Sequence, residues 1–104
     1  MPKRPVRYPA IPREIEAPGG PVRVIMSKTP VRHEHMDCWG LYDSELRTIT
    51  LDASAVPRQR WKTFFHELTH VAILDSGLDN GISDSLHEAI CDAIATARMR
   101  ERFG

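Results

Sequence analysis

The stretch His66-Glu67-Leu68-Thr69-His70 constrains this chain most, because it lies in a run whose pattern permits little besides a helix. Arg60 to Asp75 holds no Gly or Pro, and Trp61, Phe64, Phe65, Leu68, Val71 and Ala72 recur at i, i+3, i+4 and i+7 spacing. That is the buried stripe of an amphipathic helix. Pro57 suits its first turn and Gly77 its end. Side chains four residues apart in a helix lie one above the other, so His66 and His70 project together beside the stripe, which Phe65, Leu68 and Ala72 anchor. Both imidazoles then reach one metal ion at about 2.0 to 2.1 Å, with Glu67 beside them to take a proton from a metal-activated water. Two ordinary surface histidines are the plain alternative.

Eighteen residues beyond His70, Glu88 and Asp92 repeat the i, i+4 spacing with carboxylates. A zinc ion with two histidine ligands needs a third protein ligand and an open position for water, and two His plus one Glu is a working catalytic set. Glu88 is the expected third ligand. Asp92, one turn on, is expected to accept a hydrogen bond from the other ring nitrogen of His66 and so hold that imidazole in place. Ser85-Leu86-His87-Glu88 also reads as a capping box in which Glu88 only satisfies a backbone donor. A start at Ser83, with Asp84 in the first turn, would instead leave Glu88 inside the helix and available.

His66-Glu67-x-x-His70 followed by Glu88-x-x-x-Asp92 resembles the gluzincin zinc peptidases, and His87-Glu88-Ala89-Ile90-Cys91-Asp92 is similar to the Asn-Glu-Ala-Ile-Ser-Asp stretch of the thermolysin type. The resemblance implies that His66, His70 and Glu88 bind zinc, that Glu67 is the general base and acid, and that Asp92 supports His66. It covers about Gly40 to Ala97 and is nearest to the minimal versions, the minigluzincins and the ImmA/IrrE-like peptidases of phage and mobile-element settings. The thermolysin type carries further transition-state donors after the glutamate helix, a part with no counterpart in this sequence. Tyr42, His33 and His35 are the upstream candidates for that role. The metzincin pattern fails, since Ile73 and Ser76 stand where it requires Gly and His.

A chain of 104 residues supports one modest core, which a metal linking two helices would reinforce. The formal net charge is zero and the pI near 7, so no global charge draws the chain to nucleic acid, and no such partner is expected. The sequence has no run of eighteen apolar residues and no apolar core of a signal peptide, so no membrane is expected and the location implied is cytoplasmic. There Cys38 and Cys91 should be thiols, with Cys91 a small packing residue. A disulfide between them, a Cys38 thiolate capping the metal, and an accessory metal site at His33-Glu34-His35 are the alternative readings. The two histidines of that tripeptide share a face if it is an extended strand.

Residues 1–21 carry Pro2, Pro5, Pro9, Pro12, Pro18 and Pro21 and read as an extended arm, mobile or laid over a single domain spanning 22–104. Strands are expected at Val22–Met26, Met36–Tyr42 and Thr48–Asp52, the last with Ile49 and Leu51 facing the helices. The expected architecture is α+β: a small antiparallel sheet packed on the active-site helix and the glutamate helix, with zinc between the two. Thr48–Asp52 is the expected sheet edge that takes an extended polypeptide substrate. The chemistry implied is zinc-dependent peptide hydrolysis. A zinc-containing regulatory or binding protein with little turnover is the alternative, against which Glu67 argues, since a structural site has no use for a carboxylate at an open coordination position.

Overall fold

The computed structural model describes residues 6–104. Six strands precede two helices: β1 Glu14–Ala17, β2 Gly20–Ser27, β3 Val31–His33, β4 Met36–Cys38, β5 Gly40–Asp43, β6 Thr48–Asp52, α1 Pro57–Ser76 and α2 Asp84–Phe103. The fold is α+β, with a four-stranded sheet in the order β1-β2-β6-β5 and a separate β3-β4 hairpin. Among the described residues no helix is long and apolar enough to cross a membrane.

The sheet is mostly antiparallel, as expected, and the exception is that β2 and β6 run parallel, from Arg23 opposite Thr48 to Ser27 opposite Asp52. Residues 28–47 supply the long excursion that a parallel pair requires. Ile49 and Leu51 of β6 are fully buried, as are Val22 and, nearly so, Val24 of β2, so the two strands with the most buried residues pair at the centre. Thr48–Asp52 is therefore not an edge. It is bonded to β2 on one side and to β5 on the other, and β5 is the edge beside the helices.

The strand expected at Met36–Tyr42 breaks at Trp39, since β4 pairs with β3 while β5 pairs with β6. Gly40 shows why β5 stays on the helical layer: a Cβ there would meet Thr63 Cγ2 of α1 at 2.6 Å and Leu51 Cδ2 at 3.0 Å. Nor do His33 and His35 share a strand face. Glu34 and His35 have φ of 51° and 67° and form the two-residue turn between His33 and Met36, a backbone that primed hairpin turns demand.

The described part of the expected arm joins the body. Ile11 is in the core, Trp61 Nε1 donates to the Pro9 carbonyl at 2.9 Å, and β1 pairs with β2 across the turn at Gly19. Pro21 is tolerated because β2 has a neighbour on only one side until Arg23. The expected arm residues 1–5 lie outside the described residues.

Helix α1 starts with Pro57 at its first turn and stops at Gly77, whose φ of 77° is the left-handed conformation glycine supplies without strain. It packs against β5 and β6 on one side and α2 on the other. Two-sided burial widens its inward face, so Thr63, Glu67, Thr69 and Ile73 are buried along with Trp61, Phe64, Phe65 and Val71, while Ala72, expected in the stripe, is exposed. In α2 only Cys91, Ala95 and Met99 are buried. This four-residue spacing is a narrow ridge facing α1. Ser83 caps α2 by accepting from Leu86 N–H at 3.1 Å, so the Ser85 capping box is not formed and Glu88 sits inside the helix.

The far end of α1 is tied to the sheet. Arg47 Nη1 and Nη2 donate to the two Asp75 oxygens at 2.8 and 2.9 Å, and Gly19 N–H donates to Asp75 Oδ2 at 2.9 Å. A Cβ on Gly19 would lie 2.7 Å from Asp75 Oδ1, so the turn can approach the carboxylate only without one.

Candidate metal centre

One helical turn brings the His66 and His70 Nε2 atoms to 3.1 Å from each other, at the mouth of a cleft of about 550 Å³ between α1, α2 and β5. Helix α2 runs beside them and presents Glu88 to both: Oε2 is 3.1 Å from His66 Nε2, and Oε1 is 3.0 Å from His70 Nε2. Two imidazole nitrogens and a carboxylate thus converge on one point. Asp92 Oδ1 lies 2.8 Å from His66 Nδ1, where it accepts from an Nδ1–H tautomer and leaves the Nε2 lone pair facing that point.

His87 makes the matching contact that sequence reasoning missed. Its Nε2 is 2.8 Å from His70 Nδ1, a distance at which it can accept an Nδ1–H from that ring. The available signal was a third histidine directly beside the expected ligand Glu88. Burial chiefly, together with the neighbouring His66 and His87, lowers the His70 pKa against the pull of Glu88, which keeps its ring neutral and its lone pair available.

Glu67 lies below the histidines, 7% exposed, and its Oε2 is buried without a hydrogen-bond partner. Burial raises its pKa to about 7, opposed by His66 and reinforced by Glu88. An orphaned buried carboxylate oxygen costs about 1 to 3 kcal/mol or more and calls for a reason.

Cys91, expected only to pack, is part of the cluster. The ligating atoms of His66, His70 and Cys91 lie within 4.8 Å of one another, a group that could hold a metal ion. Its position one turn after Glu88 on the same face was the available clue. The thiol is fully buried, and burial, with Glu88, Glu67 and Asp92 adding to it, pushes its pKa up to about 12.

The other expected site residues separate. Tyr42, His33 and Cys38 line the cleft wall, but Tyr42 and His33 make no hydrogen bond to the histidine cluster. Burial raises the Tyr42 and Cys38 pKa values. His33 Nε2 instead lies 3.7 Å from Glu34 Oε1, and His35 is in the exposed hairpin turn outside the cleft. Cys38 and Cys91 are both free thiols, so no disulfide joins them. Comparison with protein-family models, with curated proteins and with solved structures finds no match to this chain.

Proposed function

We propose that the chain is a zinc-dependent peptide hydrolase of the gluzincin type, in which His66, His70 and Glu88 hold the metal. The observation that carries this is Glu67 Oε2, a buried oxygen with no partner one residue from a converging donor set. Glu67 also lines the cleft, where its carboxyl group can meet a substrate water. Glu88 is favoured over Cys91 as third ligand because it is an accessible carboxylate with an oxygen on each imidazole, whereas the thiol is fully buried. Two His and one Glu fit zinc with a position left open.

Bound zinc would supply Lewis acidity to a water and to the scissile carbonyl. Glu67, with a pKa near 7, takes a proton from the attacking water as its oxygen bonds to the carbonyl carbon. It then delivers that proton to the amide nitrogen as the C–N bond breaks, giving a carboxylic acid and an amine. Asp92 and His87 hold the two ligating rings in their tautomers throughout. The reading includes a cytoplasmic location. The test is zinc content and peptide cleavage measured on the same samples: wild type that takes up no zinc at neutral pH sinks the reading.

A zinc-containing binding or regulatory protein is the second reading. It is favoured by Tyr42 and His33, which line the cleft without approaching the cluster by a hydrogen bond. Zinc uptake without cleavage of any peptide would select it.

A further inference from the structure

The zero net charge conceals a segregation that the helical hairpin creates. Residues 63–97 contain no Lys or Arg and carry Glu67, Asp75, Asp79, Asp84, Glu88 and Asp92, whereas Arg58, Arg60 and Lys62 precede this span and Arg98, Arg100 and Arg102 follow it. Because α1 and α2 pack along each other through a short connection, the cations before and after the span meet at one end of the hairpin. There Arg58, Lys62 and Arg100, all exposed, line a groove of about 370 Å³ with Gln59 and Thr96. None of the three joins an ion pair among the described residues. Arg98 and Arg102 lie instead over the Phe65 and Trp61 rings.

This groove borders the metal cleft, since Gln59 and Lys62 line both. We infer that the groove is a specificity subsite for a polypeptide substrate carrying Asp or Glu a few residues from the scissile bond. The inference rests on the hydrolase reading above. Lys62 and Arg58 stand about 6 and 12 Å before His66 along α1 at about 1.5 Å per residue. An extended peptide advances about 3.4 Å per residue, so the acidic side chains fall roughly two to four residues from the bond cut. Adjacency to the cleft favours a peptide over a polynucleotide or a lipid surface: a chain lying at the metal needs only to cross Gln59 and Lys62 to reach the groove. Arg58 and Lys62 stand about 6 Å apart along α1, close to the roughly 7 Å between carboxylates on alternate residues of an extended peptide.

The experiment uses the zinc-loaded full chain, a labelled peptide with a run of glutamates, and its glutamine counterpart. Binding is read by fluorescence anisotropy on Glu67→Gln at low salt, and cleavage on the wild-type protein. The glutamate peptide should bind roughly tenfold more tightly, the product of three exposed pairs worth about twofold each. That ratio should fall to near one in the combined Arg58→Gln, Lys62→Gln, Arg100→Gln variant and at high salt. Equal binding of the two peptides, a preference that survives the combined variant, or tighter binding of a duplex oligonucleotide or an anionic vesicle overturns the subsite. Cleavage of both peptides with no preference leaves the hydrolase standing without the subsite. A glutamate preference without cleavage of either keeps the groove as a binding site and removes the hydrolase.

Discussion

Helix α1 carries two buried carboxylates two turns apart, and the protein treats them in opposite ways. Asp75 at its end has both oxygens satisfied by Arg47 and the Gly19 N–H, and the Arg47 hydrogen bonds hold its pKa down at about 2. Glu67 in its middle has a buried oxygen with no partner and a pKa raised to about 7 by burial. The first ties helix to sheet. The second holds an unmet hydrogen bond at the wall of a cleft, a cost that makes sense where a ligand completes it. The lesson is that burial alone does not assign a role to a carboxylate, whereas burial together with satisfaction does.

The sharpest way to break this contrast is Glu67→Gln. It should keep zinc and fold while peptide hydrolysis falls by roughly 100-fold to 10,000-fold, the scale of a positioned general base. An undiminished rate at full zinc content would show that the orphaned oxygen does no proton transfer.

A smaller effect is expected around the histidines. Asp92→Asn and His87→Leu should each weaken zinc binding by roughly 10-fold to 100-fold in a chelator competition. Glu88→Gln should cost more than either, and Cys91→Ala less. If Cys91→Ala loses zinc while Glu88→Gln keeps it, the thiol is the third ligand and the carboxylate only covers the site.

Next comes the structural carboxylate. Asp75→Ala removes three hydrogen bonds to a charged acceptor and should destabilise the protein by about 2 kcal/mol in urea unfolding, with zinc affinity unchanged. Gly19→Ala should damage the same junction, because its Cβ would collide with that carboxylate. A loss of zinc binding in either variant would mean the two regions are coupled.

The mildest test is the pH dependence of the metal-free protein. Asp75, depressed from 3.8, contributes stability that is present above pH 3.8 and lost as pH falls through about 2. Glu67, raised from 4.5, contributes in the opposite sense: its share is complete below pH 4.5 and is lost as pH rises through about 7. Glu67→Gln should therefore flatten the decline between pH 4.5 and 7, and Asp75→Asn the decline in acid. Identical profiles for wild type and Glu67→Gln would mean the carboxyl is better solvated than its burial implies.

Much of this was legible in the residues and some was not, and the division is physical. The sequence by itself determined α1 with its Pro57 and Gly77 bounds, the shared face of His66 and His70, that of Glu88 and Asp92, and the inward Ile49 and Leu51 of β6. Each of these follows from a side-chain period of 3.6 or 2 set by the backbone within one element. Only the tertiary structure decided that β6 lies at the centre beside a parallel β2, that His87 and Cys91 join the histidines, that Glu67 loses all access to water at one oxygen, and that Lys62 faces both cleft and groove. Those outcomes depend on which elements meet. Strand order and helix contact are settled by the summed burial of residues far apart in the chain, and no local period carries that information.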